Sequence, residues 1–293
     1  MLFTLILYIG HFCVICASCA IDYGERTEQM IYVALYLAVG GVAGVLAGLL
    51  GIGGGLVIVP MLTSIFTHQN VAHEVIVHMA LGTSLASILF TSVSSMRSHH
   101  KRKAVVWPVV FRITPGILVG TFTGTWIASM LSTNFLKCFF GIFLYYVATQ
   151  MLMGMKPKPT RDIPGTAGIF AAGSIIGVFS SLVGIGGGTL AVPFLTWCNT
   201  KIHKAIGTSS AIGFPIAAAG FLGYVINGLG TPNLPPMSLG FVNLVALAGI
   251  VAASVLTAPI GVKLAHNLPV DKLKRVFAVL LYLVGTRMLI SVF

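Results

Sequence analysis

Two glycine clusters are the segments of this sequence best suited to binding a ligand through the backbone. Gly51-Ile-Gly-Gly-Gly55 and Gly184-Ile-Gly-Gly-Gly188 each lie within a long apolar stretch that soon reaches a proline. A glycine inside a helix costs about 1 kcal/mol relative to alanine, so each cluster predicts a break between two helical pieces. A helix that restarts after a break directs free N–H groups and the positive end of its dipole toward it, which suits an anion. Close packing of helices through small residues, as at Gly44-x-x-x-Gly48, is the alternative interpretation.

Two Gly-Thr-Ser motifs add hydroxyl groups to the same regions. Gly82-Thr83-Ser84 and Gly207-Thr208-Ser209 each stand near the start of an apolar span. Their hydroxyls could bond the preceding helical turn or contact a substrate, and the sequence leaves both alternatives open. We predict a substrate site formed by the glycine triplets, these hydroxyls and one cation, namely Gly53, Gly54, Gly55, Gly186, Gly187, Gly188, Thr83, Ser84, Thr208, Ser209 and Arg112.

The cation belongs to this set because a charge inside an apolar span is expensive and is usually functional. Arg112 lies nine residues after Lys103, about 13 Å along a helix, where it would meet a ligand at the membrane midplane. Arg287, another cation within a span, is interpreted as snorkelling toward the surface. His78 is a candidate coupling group because histidine changes charge near neutral pH, with a neutral, hydrogen-bonded histidine as the alternative.

The residue types that the spans lack narrow the function further. All six acidic residues lie in predicted loops or at span edges, whereas a cation carrier or a carboxylate proton relay needs an acid inside a span. The sequence contains neither HExxH nor GxSxG, so an enzyme is not expected. Cys13, Cys16 and Cys19 share one face of the first apolar stretch without acidic or histidine partners, so we expect packing there. No metal site and no cofactor are expected.

The composition predicts a membrane protein. Of the 293 residues, 57% are hydrophobic and 8% are charged, against about 25% charged in an average soluble domain. Lipid must therefore solvate much of the surface, and the long, unalternated apolar runs favour helices over a barrel. The net charge of +11 falls in short clusters between these runs. Such clusters set the orientation of membrane proteins, so binding to nucleic acid is not expected.

The chain contains an internal repeat. Residues 44–60 match residues 177–193 at an offset of 133, and residues 80–84 match residues 205–209 at an offset of 125. A third, shorter match near the end of each half follows in the same order. Three matches in one order at similar spacing indicate that the two halves have related structures.

The distribution of basic residues predicts that the two halves have opposite orientations. The second connection of the first half is basic (97–103), whereas in the second half the first and third connections are basic (201–204 and 263–275). By the positive-inside rule these loops and segment 156–161 face the cytoplasm. This orientation requires that the two helical pieces at each glycine break form either a tight hairpin or two half-helices that meet near the midplane. We therefore expect an all-α, polytopic helical membrane protein with two inverted-topology repeats. Each repeat would have a Gly-broken helix pair plus three transmembrane helices.

The expected organisation has four segments. Residues 1–30 would form an extra N-terminal apolar helix, or a signal sequence, and a short polar loop. We favour a retained helix because no Lys or Arg precedes the apolar stretch. The first transmembrane repeat would occupy residues 31–154, a proline-rich linker residues 155–164, and the second transmembrane repeat residues 165–293.

The paired motifs resemble a known family. The G-x-G-G-G…V-P elements at 51–60 and 184–193, together with the G-T-S motifs at 82–84 and 207–209, are similar to those of the TauE/SafE sulfite exporter family, also called the toluene sulfonate uptake permease (TSUP) family. The resemblance covers residues 32–292. It implies a multi-pass protein of the cell inner (cytoplasmic) membrane that moves sulfur-containing anions such as sulfite or organosulfonates such as sulfoacetate. Members of the family differ in substrate and in the direction of transport.

Together these features predict a secondary transporter that moves small sulfur-containing anions by alternating access. An anion channel and a carrier of a different small anion are the alternatives. The partners we expect are a small anionic substrate and membrane lipid, and a homodimer is left open.

Overall fold

The computed structural model of the protein describes residues 29–51, 53–153, 163–267 and 270–291. Within these ranges the chain forms ten helices and one short β-hairpin. The first half contains α1 (Gln29–Leu50), α2 (Gly55–His68), α3 (Ile76–Lys101), α4 (Trp107–Met130) and α5 (Thr133–Leu152). The second half contains α6 (Thr166–Val183), α7 (Gly188–Trp197), α8 (Ile202–Gly228), α9 (Leu244–Asn267) and α10 (Val270–Ile290). Between α8 and α9, the strands β1 (Ser238–Leu239) and β2 (Val242–Asn243) pair antiparallel.

Two predicted segments lie largely outside the described residues. They are the N-terminal segment 1–30, which includes the three clustered cysteines, and the linker 155–164. The division of the chain into four segments therefore stays a prediction.

The helices have the length and the surface of a membrane protein. Six of them are long and apolar enough to cross a bilayer, namely α1, α3, α5, α6, α8 and the part of α9 up to Ala265. Helix α4 has 24 residues, which give it a length of about 36 Å. Large apolar side chains such as Phe111, Ile142, Leu256 and Leu283 are exposed, and lipid accommodates such side chains better than water does. The prediction of a polytopic helical membrane protein is confirmed.

The elements follow the same order in both halves. A helix, a glycine break, a shorter helix and three further helices occur as α1–α5 and again as α6–α10. The packing follows the same correspondence, since α4 packs on α6 and α8 while its counterpart α9 packs on α1 and α3. Helices α3 and α8 pack on each other, and so do α5 and α10. The two halves are therefore interlocked.

The two central helices, α3 and α8, run antiparallel. A Cβ on Gly82, near the start of α3, would lie 3.1 Å from Tyr224 Cβ, near the end of α8. Later in α3, the Ser95 Oγ lies 3.3 Å from the Oγ of Ser210, which belongs to the first half of α8. Residue numbers therefore rise along one helix while they fall along the other.

The last helices of the two halves, α5 and α10, also run antiparallel. Tyr145 OH lies 2.6 Å from Thr286 Oγ1, and one turn later Thr149 Oγ1 lies 2.6 Å from Tyr282 OH. Two pairs of helices that occupy equivalent places in the chain therefore pack with opposite directions.

Glycines let two other helix pairs approach to backbone contact. A Cβ on Gly120 of α4 would overlap the Ser174 carbonyl oxygen of α6, and a Cβ on Gly48 of α1 would overlap the Ala258 carbonyl oxygen of α9. Gly44, one turn before Gly48, packs on α9 in the same way. Small residues at such positions are the usual means by which membrane helices associate closely. The Gly44-x-x-x-Gly48 pattern therefore serves helix packing.

The β-hairpin was not predicted from the sequence. Each strand has two residues, which is too short to show the alternation that indicates a strand. A Cβ on Gly240, whose φ is 55°, would overlap the Val225 carbonyl oxygen of α8. The hairpin thus packs against the end of α8 and leads directly into α9.

Candidate functional site

Both glycine clusters break the helix where the sequence predicts a break. Gly51, Gly53 and Gly54 have φ of 69°, 79° and 79°, and Gly184 and Gly187 have φ of 66° and 75°. These left-handed conformations would strain a residue that carries a Cβ. Gly54 caps α2 and Gly187 caps α7 without any side-chain hydrogen bond. The first N–H groups of each helix have no partner within that helix and point toward the break.

Each break joins its two helices in a hairpin. A Cβ on Gly54 would lie 2.9 Å from Ala43 Cβ, so the chain turns back along α1 after the first break. The Tyr36 hydroxyl of α1 donates a hydrogen bond of 3.2 Å to Oε1 of Gln69, which follows the end of α2. A Cβ on Gly187 would likewise lie 3.4 Å from side chains of α6. Of the two arrangements that the sequence allowed, the first break thus forms the tight hairpin, and at the second break the chain likewise folds back on α6.

The two hairpins meet at their glycine breaks. A Cβ on Gly53 would lie 3.1 Å from Gly186 Cα, and a Cβ on Gly55 would overlap the carbonyl oxygen of Gly184. Backbone therefore contacts backbone between the halves, with no space for larger residues. We call this contact the glycine crossing. The structure thus brings the two predicted glycine triplets together.

The serines of the Gly-Thr-Ser motifs hold this crossing. Ser84 Oγ donates a hydrogen bond of 2.8 Å to the Gly184 carbonyl oxygen, and Ser209 Oγ donates one of 3.2 Å to the Gly51 carbonyl oxygen. Gly51 and Gly184 are the residues that directly follow α1 and α6, where helical carbonyl groups lack partners within the helix. Each serine therefore binds the break of the opposite half.

The threonines of the same motifs bind the starts of helices in the opposite half. Thr83 Oγ1 accepts a hydrogen bond of 3.0 Å from Asn243 N, just before α9, and Thr208 Oγ1 accepts one of 3.0 Å from Val106 N, just before α4. All four hydroxyl-bearing side chains of the two motifs are fully buried. The hydrogen-bond partners named above are in the opposite half and not in the preceding turn of the same helix, and none of the four hydroxyls is exposed. Their contact with a substrate therefore stays a prediction.

A small cavity of about 10 Å³ lies beside the glycine crossing. Helix breaks, α1, α3 and α8 form its wall, and the lining residues are Ala47, Gly51, Gly53, Ser92, Ser95, Gly186, Ser210 and Gly213. Half of these residues are glycines, and three are serines. Irregular backbone at membrane depth is tolerated where it lines such a cavity.

Three serines supply the hydroxyl groups of the cavity. Ser95 donates to Ser210 at 3.3 Å, Ser210 donates to the Ile206 carbonyl oxygen at 3.1 Å, and Ser92 donates to the Leu89 carbonyl oxygen at 3.0 Å. A hydroxyl can rotate to offer its proton to a different acceptor, so each serine could donate to an anion in the cavity. These serines were missed in the sequence, although Ser92 and Ser95 follow Ser84 at helical spacing on α3.

Basic residues lie near the cavity, at the end of the molecule where α3 ends and α8 begins. Arg97 and Lys101 in the last turns of α3, and Lys204 in the first turn of α8, are exposed. Lys101 and Lys204 are each six residues from a lining serine, about 9 Å along the helix. Glu74 lies beyond the opposite end of α3. Such a concentration of positive charge would attract anions toward this end of the molecule.

Arg112 is not brought to the cavity. It is exposed in the second turn of α4, and it is not among the lining residues. The expected depth assumed a helix that continues from Lys103, but Lys103 has a φ of 55° and α4 begins at Trp107. Arg112 is therefore only about 7.5 Å from the start of its helix. Arg287, likewise exposed, is in the last turn of α10.

His78 is buried at the opposite end of α3 from the cavity. Its Nε2 lies 3.0 Å from the Ala128 carbonyl oxygen and its Nδ1 lies 3.2 Å from the Glu74 carbonyl oxygen. It is 17 residues before Ser95, about 25 Å along α3. The ring thus connects α3 to the end of α4, and a role in coupling stays a prediction. Among the residues that the structure describes, no group of three His, Cys, Asp or Glu could hold a metal ion.

Paired broken helices that meet at a central site are a common architecture of membrane transporters. Residues 36–288 match the family model described as sulfite exporter TauE/SafE. The chain therefore belongs to the TauE/SafE family, and the resemblance seen in its glycine and Gly-Thr-Ser motifs is confirmed.

Similar proteins from bacteria and archaea are described in the same general terms. A probable membrane transporter protein of Haemophilus influenzae is 36% identical over 89% of this chain and 99% of its own length. The probable membrane transporter protein MJ0441 of Methanocaldococcus jannaschii is 28% identical over 90% of this chain and 97% of its own length. No solved structure matches the chain significantly. The family, these relatives and the apolar helices identify the chain as a multi-pass membrane transporter.

Proposed function

We propose that this protein is a secondary transporter that moves small sulfur-containing anions across the cytoplasmic membrane by alternating access. Sulfite and organosulfonates such as sulfoacetate are the proposed substrates. The observation that carries the proposal is the cavity beside the glycine crossing, which glycines and serines of both halves line. The description of the family as sulfite exporters supports sulfur-containing anions as the substrate class.

The groups around the cavity suit an anion. Serine hydroxyls donate hydrogen bonds, and the N-terminal ends of α2 and α7 begin at the crossing with their positive dipole ends. No Asp or Glu is among the lining residues.

The directions of the helices support an inverted repeat. In parallel repeats, equivalent helices point the same way, whereas in inverted repeats they point opposite ways. The equivalent pairs α3–α8 and α5–α10 are antiparallel, as their side-chain contacts indicate. If the basic ends of α3 and α8 face the cytoplasm, as the positive-inside rule predicts, the cavity faces inward.

Alternating access then follows from the exchange of two related arrangements. The halves share one crossing, so a movement that closes the cavity on one side would open the equivalent space on the other. The Ser84 and Ser209 hydrogen bonds link the halves at this crossing. The substrate would stay near the glycine breaks while the helices around it move.

Transport of radiolabelled sulfite into proteoliposomes tests this proposal. We expect saturable flux that falls at least about tenfold in Gly53→Ala, since a Cβ there lies 3.1 Å from Gly186 in a backbone conformation with a φ of 79°. Gly41→Ala is the matched control because a Cβ at Gly41 of α1 meets nothing within 4 Å. Linear, unsaturable flux would instead favour an anion channel, and full activity in Gly53→Ala would contradict a role for the crossing.

A further inference from the structure

The cavity lies on only one side of the glycine crossing. Its serines belong to the second half of α3 and the first half of α8, at the basic ends of these helices. The internal repeat relates each lining position on α3 or α8 to a position on the other helix through an offset of 125 residues. These equivalent positions lie on the opposite side of the crossing, so the two sides can be compared residue by residue.

The first pair of equivalent positions has two hydroxyls on the cavity side and an apolar contact on the opposite side. At the cavity, Ser95 and Ser210 face each other with their Oγ atoms 3.3 Å apart. Their equivalents are Gly220 and Leu85, and a Cβ on Gly220 would lie 2.7 Å from Leu85 Cδ1. The leucine side chain therefore occupies the space that is open on the cavity side.

The second pair of equivalent positions has a glycine on the cavity side and an isoleucine on the opposite side. At the cavity, Gly213 faces Gly186, and the two contribute no side chains to the wall. The equivalent pair is Ile88 and Gly53, where Ile88 Cγ2 lies 3.1 Å from a Cβ placed on Gly53. Leu85 and Ile88 are both 0% exposed. Two large apolar side chains thus fill the region that two small residues leave open on the other side.

We infer that Leu85 and Ile88 form an apolar gate that closes the pathway on the side away from the basic loops. The inference rests on the proposed function, since it assigns the two ends of one transport pathway. An apolar constriction excludes water, and an anion cannot pass it without losing its hydration. Movement of α3 away from the breaks would withdraw both side chains together, because they are one turn apart on the same helix.

A hydroxyl behind the gate supports this assignment. Ser180 of α6 occupies the position equivalent to Ala47 at an offset of 133. It is 0% exposed, and its Oγ has no hydrogen-bond partner among the described residues. A Cβ on Gly187 would lie 3.4 Å from this Oγ, so the hydroxyl is next to the second break. A buried hydroxyl without a partner is costly, and an anion that entered past Leu85 and Ile88 would provide one.

The gate is tested by thiol labelling at two equivalent positions in a chain without its native cysteines. Ser92→Cys reports on the cavity, and Ala217→Cys reports on the equivalent position behind the gate. We expect an impermeant reagent to label Ser92→Cys from the basic side. Ala217→Cys should react at least about tenfold more slowly from either side, because a minor open state is populated at about 10% or less. Equal rates at the two positions would overturn the gate.

Exchanging the gate residue with its equivalent gives a second test. Leu85→Ser combined with Ser210→Leu moves the leucine to the cavity side, so the labelling preference should reverse and Ala217→Cys should react from the outer side. If the double variant does not fold, Leu85→Ser alone should raise the labelling rate of Ala217→Cys about tenfold. A tenfold rise corresponds to a change in the open state from about 10% of the molecules to nearly all of them. Leu222→Ser, at an exposed leucine of α8, is the control and should change nothing. Unchanged labelling in Leu85→Ser would contradict the gate.

The labelling needs no substrate, so it separates the gate from the proposed function. The predicted labelling pattern without any sulfite flux would retain the gate and reject the proposed substrate. Saturable sulfite flux with equal labelling at both positions would retain the transporter and reject the gate.

Discussion

Single hydroxyl groups link the two halves of this protein. Threonine and serine at the same places in the two halves bind backbone of the opposite half, and each of the four contacts joins residues at least 100 positions apart in the sequence. The serines bind the glycine breaks, and the threonines bind the starts of α4 and α9. Each motif thus connects a break to a long helix that would have to move with it.

Removing one of these serine hydroxyls should destabilise the protein measurably. Ser84→Ala leaves the buried Gly184 carbonyl oxygen without its 2.8 Å donor, and an unsatisfied buried group costs about 1–3 kcal/mol. We expect a lower unfolding temperature in detergent, with a smaller effect for Ser209→Ala because its bond is longer, at 3.2 Å. Ser129→Ala, whose hydroxyl binds within its own helix, is the control. A Ser84→Ala variant as stable as the control would contradict this role.

The sequence was informative about backbone but not about which side chains meet. Three consecutive glycines followed by proline predict a break from local energetics alone, and the breaks are present. The depth of Arg112 depended instead on the residue at which α4 begins, and the left-handed turn at Lys103 delays that start. Ser92, Ser95 and Ser210 could not be assigned to a cavity because their meeting depends on how α3 and α8 are rotated against each other.

At the scale of elements, the hairpin is the unit that the repeat preserves. A hairpin returns the chain to the side from which it came, so it adds no net crossing. If the three further helices each cross the membrane, as the inverted repeat predicts, the end of each half lies on the side opposite its start. The local sequence allowed two half-helices as well, and only contacts such as Tyr36 with Gln69 distinguish a hairpin from them.

The orientation of the elements is tested by cysteine labelling in intact cells. We expect single cysteines at Ser98, Thr160, Thr200 and Leu273, in a background without native cysteines, all to resist an impermeant thiol reagent. All four should react once the membrane is opened, because the basic segments 97–103, 156–161, 201–204 and 263–275, which contain or adjoin them, are predicted to be cytoplasmic. A cysteine at 200 or 273 that is labelled from outside while 160 stays protected would contradict the inverted repeat.

At the scale of the whole molecule, two related halves meet at one crossing whose two sides differ. The backbone elements of the halves correspond closely, but the side chains around the crossing differ. Hydroxyls and glycines line the basic side, whereas leucine and isoleucine fill the other. Symmetry of the backbone would permit exchange between two arrangements, and the differences in side chains would favour the one that opens toward the basic loops.

The measurement that tests the central claim most directly is binding of sulfite and sulfoacetate to the purified protein. The account predicts saturable binding at one site per chain for at least one of them. Ser210→Leu should weaken that binding at least about tenfold, equivalent to about 1.4 kcal/mol, since the leucine would fill the cavity. The control Leu222→Ser should bind as the unaltered protein does. The absence of saturable binding for both anions, or equal binding by Ser210→Leu, would contradict an anion site at the glycine crossing.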